Sequence, residues 1–170
     1  LRDKADNKVL QKAVVDGEVQ VIATDHCAFT REQKLSSSDC RTIYPGIPGT
    51  EEMFTLLNTF RVETNGDAGE EVLPFTKLVE LMSTNPAKLF GLYPNKGSFE
   101  IGTDADIVLF DPSVKWTLDD SNVHSASLYT PYRGFDVQGR AVMTILRGDV
   151  IMEKGEYHGV PGQGRFLRQC

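Results

Sequence analysis

Apolar residues recur at helical spacing over residues 3–16, where Ala5, Val9, Leu10, Ala13 and Val14 stand among charges and make one apolar face. Asp16-Gly17 closes that helix, glycine being the natural residue just past a helix C-terminus. The period then changes. Val19-Gln20-Val21-Ile22-Ala23-Thr24 is a short apolar run rich in β-branched residues, which predicts a buried strand. Alternation along it puts Val19, Val21, Ala23 and Asp25 on one face and Gln20, Ile22, Thr24 and His26 on the other. Helix, turn and buried strand form the repeat of a parallel α/β fold.

Residues 30–49 show neither period. Ser36-Ser37-Ser38-Asp39 and Tyr44-Pro45-Gly46-Ile47-Pro48-Gly49 are turn chemistry, so a long loop is expected, either a substrate lid or a plain surface excursion. Thr50 is expected to cap a helix with Glu51 and Glu52 in its first turn and Met53, Leu56, Leu57 and Phe60 as its buried stripe. Residues 64–69 read as a loop and 74–82 as a helix with Leu78, Val79, Leu81 and Met82 inward. Asn85 before Pro86 has the pattern of an N-cap with proline at the first helical position, opening a short helix that stops at Gly91. After Pro94 the character switches to short strands: 107–110, ended by Asp111-Pro112, then 115–118, then a hairpin of 141–146 and 150–152 around Arg147-Gly148-Asp149. A boundary between a helical α/β part and a small β part is therefore expected near 94–97.

Composition narrows the function classes. The 170 residues are 40% hydrophobic and 25% charged, ordinary values for a globular protein. A net charge of −6 argues against nucleic acid or an anionic membrane as partner. No apolar run approaches the roughly 18 residues of a membrane span. Cys27, Cys40 and Cys170 are odd in number and scattered, which suits reduced thiols in a cytosol. The chain opens without Met on a charged helix pattern, neither a signal peptide nor a usual start, so a piece of something longer is expected.

Asp25 is the candidate for chemistry. It ends an otherwise apolar strand face, where a carboxylate is costly to desolvate unless a cation or several donors meet it. A polar strand end followed by a solvated His26 would account for it. So would function, because parallel α/β folds collect functional residues at the C-terminal ends of strands. Asn85 is fully accounted for by its expected cap role.

Four stretches carry a resemblance: Ala23-Thr24-Asp25-His26-Cys27-Ala28-Phe29, Gly46-Ile47-Pro48-Gly49-Thr50-Glu51-Glu52, residues 83–94 from Ser83-Thr84-Asn85-Pro86 to Leu92-Tyr93-Pro94, and Gly102-Thr103-Asp104-Ala105-Asp106-Ile107-Val108. In this order they resemble the cyclic amidohydrolases of the hydantoinase and dihydropyrimidinase branch, over nearly the whole chain. The resemblance implies an α/β fold in which residues 1–94 are the last helix, last strand and following helices of a (β/α)8 TIM-type barrel. Residues 95–156 would be the C-terminal share of a small β-sandwich, and 157–170 a tail reaching a neighbouring subunit. Asp25 matches the aspartate that binds one of two divalent metal ions, usually zinc, and takes the proton of the bridging hydroxide. Asn85 matches the position whose backbone contacts the cyclic amide substrate. The other metal ligands of the family lie upstream of Leu1, and His124 and His158 are expected to be ordinary histidines.

The resemblance thus implies the C-terminal portion of a cytoplasmic, metal-dependent hydrolase that opens hydantoin or dihydropyrimidine rings, a dimer or homotetramer when intact and inactive as this chain alone. A non-catalytic dihydropyrimidinase-related scaffold is the alternative from another class, disfavoured by the intact Asp25-His26 pair. An allantoinase or dihydroorotase shares that pair but matches residues 83–94 and the Gly164-Arg165-Phe166-Leu167 tail less well.

Overall fold

The computed structural model describes residues 3–62 and 72–168, and among these it places the α-helices before residue 90 and the strands after residue 106. The loop expected over 64–69 and Cys170 lie outside the described residues. Two compact units interleave along the chain: Leu1–Ile22, Arg61–Asp111 and Ala141–Cys170 in the first, Ala23–Phe60 and Pro112–Arg140 in the second.

In the first unit, α1 (Lys4–Val15) forms where the apolar period predicts it. The Asp3 carboxylate accepts from the N–H groups of Ala5 and Asp6, and Gly17 follows the helix at φ +80°. Of its expected apolar face only Val14 is buried, while Val9 and Leu10 are exposed.

Residues 75–89 depart from expectation. α4 (Phe75–Val79), a π-helical turn (Glu80–Thr84) and α5 (Asn85–Leu89) follow one another without a break. Asn85 has helical φ −68° and ψ −44°, so it is not an N-cap. The cause is Pro86. The Asn85 N–H bonds to the Glu80 carbonyl at π spacing, and proline has no N–H to offer the next carbonyl, that of Leu81. Leu81 O instead accepts the Ile22 N–H at 3.2 Å, and the Asn85 side-chain amide donates to Gln20 O at 2.8 Å.

Those two bonds replace the expected strand. Residues 18–30 belong to no helix or ladder, because no described strand lies beside them to share one. The alternation fails with the strand: Ala23 and Asp25 are exposed, and Val19, Val21 and Ile22 only half-buried. The first unit's core is Leu73, Leu78, Leu81, Ala87 and Val14.

Gly97 seals that core. At φ +75° it lies so close that a Cβ would sit 2.8 Å from the Ala87 Cβ, and its carbonyl accepts from the Thr84 hydroxyl at 2.9 Å. Beside it Lys96 pairs with Asp104 at 2.9 Å and with Asp106, which also accepts the Arg147 N–H at 2.8 Å.

The four strands lie in the order β1 (Ile107–Thr117), β2 (Asp136–Leu146), β3 (Asp149–Glu153), β4 (Glu156–Tyr157). The two strands expected at 107–110 and 115–118 are one, running through Asp111-Pro112. β1 is an edge strand, and an edge tolerates a residue with no N–H. The β2–β3 hairpin forms as expected, with Arg147 at φ +50° and Gly148 at φ +89°, the positive pair of a tight primed turn.

In the second unit, part of the expected loop is a helical turn, α2 (Arg31–Lys34), closed by a reciprocal Thr30–Gln33 capping box. Thr50 does not cap α3 (Met53–Val62): the Gly49 carbonyl accepts the Met53 N–H. Nor is the stripe of Met53, Leu56, Leu57 and Phe60 the buried one; Glu52, Thr55 and Asn58 are buried and the apolar residues half-buried. The polar face wins because strand backbone needs it. Thr55 donates to Gly139 O at 3.2 Å and Asn58 to Gln138 O at 2.7 Å, while Thr59 accepts the Gln138 N–H at 2.8 Å.

Candidate functional site

Asp25 stands in left-handed backbone, φ +49°, a conformation that aspartate tolerates better than most residues. Its carboxylate is exposed and has no hydrogen bond or salt bridge with any described residue. What surrounds it in sequence is tightly held. The His26 N–H donates to the Thr24 hydroxyl at 3.2 Å. The His26 Nδ1 accepts two backbone donors, Gly49 N–H at 3.0 Å and Thr50 N–H at 3.2 Å. The Cys27 N–H donates to Ile47 O at 3.0 Å. Gly46, at φ +91°, presses so close that a Cβ would meet the Cys27 Sγ at 2.5 Å. Residues 24–27 and 46–50 are therefore clamped together.

Glu51 and Glu52 take opposite roles just past the clamp. Glu51 grips His124, its Oε1 2.6 Å from Nδ1 and its Oε2 accepting the His124 N–H at 2.6 Å. Glu52 is buried, and neither carboxylate oxygen has a partner among the described residues. Burial first, and the Glu52 charge second, push the Tyr132 phenol above its ordinary pKa. The sequence gives no sign that Glu52 is buried, since acids in a first helical turn usually face water.

Asp25 belongs to the second unit and Asn85 to the first. The Asn85 amide is committed to Gln20 O and its N–H to Glu80 O. His158 is exposed. Among the described residues no three His, Cys, Asp or Glu side chains converge as a metal site would require. The described residues alone do not fit a metal centre, and among them Asp25 stands as a single candidate ligand. A cavity of about 290 Å³ opens in the first unit between Met82, Pro86, Phe90 and the Lys96–Asp106 pair. No described helix is long and apolar enough to cross a membrane.

Comparison with known proteins decides the family. The family model described as the amidohydrolase family matches residues 5–151. The chain belongs to the amidohydrolase family. A D-hydantoinase of Ralstonia pickettii is 36% identical over 170 residues, which is 99% of this chain but 36% of that protein. The structure of a D-hydantoinase (dihydropyrimidinase) from Thermus sp. superposes with a TM-score of 0.87 at 36% identity, over 99% of this chain and 36% of that one. A dihydropyrimidinase from Brevibacillus agri gives a TM-score of 0.91 at 33% identity, again 99% against 36%. The chain therefore spans about a third of the length of these relatives. The resemblance to the hydantoinase branch holds, and with it an α/β amidohydrolase fold.

Proposed function

We propose that this chain is the C-terminal portion of a metal-dependent cyclic amidohydrolase that opens hydantoin or dihydropyrimidine rings, with Asp25 as its catalytic and metal-binding residue. In this reading residues 1–94 close a (β/α)8 barrel, 95–156 contribute to a β-sandwich, and 157–170 reach toward a neighbouring subunit of a dimer or homotetramer in the cytoplasm. One observation carries the reading. In a chain matching D-hydantoinases over 99% of its length, the Asp25 carboxylate is exposed and bonded to no described residue while both flanking segments are fastened.

A carboxylate so placed can take a proton from a water attacking the ring amide and return it to the leaving nitrogen. The remaining donors for two divalent ions, zinc by resemblance, would come from the other two-thirds of the length of such an enzyme. Asn85 would meet substrate through its backbone, its side chain being engaged with Gln20 O. The free Asp25 carboxylate also favours an enzyme over a dihydropyrimidinase-related scaffold, which has no use for it.

The test is ring opening of dihydrouracil and hydantoin by the intact protein and its Asp25→Ala variant. Turnover that disappears with Asp25, together with loss of bound metal, is expected. Full activity and metal content in the variant would remove Asp25 from the mechanism, and no turnover by the intact wild type would leave the scaffold reading.

A further inference from the structure

We propose that His26 is a positioning residue that acts through Asp25. Its ring is fixed as the Nε2–H tautomer, and it anchors the segment after Asp25 to the Gly49-Thr50 backbone.

Two N–H groups converge on the His26 Nδ1, at 3.0 and 3.2 Å, so this nitrogen carries its lone pair and not a proton. Turning the ring over would put a carbon against both donors and leave them without an acceptor, so the hydrogen-bond network itself fixes the orientation. In a neutral imidazole the proton then resides on Nε2. No described residue accepts from that Nε2–H.

Two consequences follow for the residue next door. With Nδ1 occupied and Nε2 protonated, His26 has no free lone pair for a metal ion, so the adjacent acid and imidazole supply one ligand and not two. The backbone is constrained as well. Asp25 at φ +49° is followed within two residues by three anchors on residues 47–50: two N–H donors into the His26 ring and the Cys27 N–H on Ile47 O. A non-glycine residue keeps left-handed backbone only where its surroundings over-determine it, and the ring provides two of those three bonds. The clamp stands on geometry alone, but its catalytic consequence rests on the function proposed above.

Nitrogen-15 NMR of the histidine rings in the 170-residue chain tests the tautomer without any substitution. A protonated Nε2 and a bare Nδ1 at His26 are expected, and a proton on Nδ1 overturns the proposal. Two variants then test the anchor. His26→Asn keeps an acceptor near the position of Nδ1, whereas His26→Gln puts its polar group near Nε2. Amide exchange at Gly49 and Thr50 should stay slow in the Asn variant and speed up about tenfold in the Gln variant, the loss of one net hydrogen bond. Equal rates in both overturn the anchor, and should the Gln variant fail to fold, the ring nitrogens of the wild type still decide.

In the intact protein, kcat should fall with unchanged KM in His26→Gln and largely return in His26→Asn. Equal kcat in both variants and wild type overturns the positioning role. No turnover by the wild type overturns the proposed function instead, leaving the ring and exchange results to judge the clamp.

Discussion

Asn85 offers a clean separation of two physical roles that share one residue type. An N-cap asparagine can be replaced by aspartate or serine with little loss, because all three present a short acceptor to the helix N–H groups. The structure gives Asn85 the opposite role: it is helical, and its side-chain N–H donates across to Gln20 O at 2.8 Å. Aspartate has no donor and serine is too short. Gln20 is exposed, so its carbonyl regains water when the bond is lost, and the cost is that of one net hydrogen bond, about 1 kcal/mol. Asn85→Ala, Asn85→Asp and Asn85→Ser should therefore all lose about the same stability. With a urea slope of about 2 kcal/mol per molar, each midpoint falls by roughly 0.5 M. The assay is equilibrium urea unfolding of the 170-residue chain and the three variants. Aspartate and serine at the wild-type midpoint, with alanine alone destabilised, would refute the reasoning and restore the cap.

Three further outcomes are expected. Gly46→Ala combines φ +91° with a Cβ 2.5 Å from the Cys27 Sγ, whereas Gly102→Ala has φ +96° and open space, so the first should cost about 2–3 kcal/mol and the second about 1 in thermal or urea unfolding. Glu52→Leu removes a buried carboxylate without partners and should stabilise by about 1–3 kcal/mol, with the Tyr132 phenol titrating lower by ultraviolet absorbance; a less stable variant would mean that Glu52 is satisfied in solution. Lys96→Met should cost about 2 kcal/mol near neutral pH. Burial lowers the Lys96 pKa, but its bonds to Asp106 and Asp104 outweigh that and leave it raised; this stabilisation is full below about pH 10.4 and is lost as pH rises through the folded value. Burial raises Asp106, but Lys96 and the Arg147 N–H outweigh it and leave it lowered; that part is full above about pH 3.9 and is lost as pH falls through the folded value. The difference between wild type and Lys96→Met should thus be flat between these limits and shrink beyond both.

Elements that depend on their own residues were legible in the sequence. α1 shows in its helical spacing and in Gly17, and the β2–β3 turn in Arg147-Gly148. Elements defined by a partner were not. A β-branched run at 19–24 predicts a strand, yet a strand is a property of two segments, and here the backbone of residues 20–22 is met by Leu81 O and the Asn85 amide. α3 turns a different face inward for the same reason: period shows which residues share a face, but Thr55, Asn58 and Thr59 face inward because the carbonyls and N–H of residues 138 and 139 require partners. At 85 the Asn-Pro cap signature lost to the preceding helical turn, whose Glu80 carbonyl takes the Asn85 N–H.

The four stretches that carry the family resemblance reduce to two interlocked pairs, each inside one compact unit. Residues 23–29 and 46–52 are the two sides of a clamp, joined through the His26 ring, the Cys27 N–H and the glycine that fits under Cys27. Residues 83–94 and 102–108 are joined through the segment between them, where Thr84 holds Gly97, Asn95 holds the Asp104 N–H, and Lys96 holds Asp104 and Asp106. Most of the distinctive residues in these stretches are thereby explained by what they bond to in the folded chain: a histidine as a backbone acceptor, glycines as contacts, aspartates as partners of one lysine. Two acids are exceptions: Glu52, buried and bonded to no described residue, and Asp25, whose backbone is held at a conformation few residues adopt and whose carboxylate is bonded to no described residue. Position along the chain singled Asp25 out for one reason, the expected end of a strand, which the structure does not form. Geometry singles it out for a better one: of the two clamp acids that bond to no described residue, it is the exposed one.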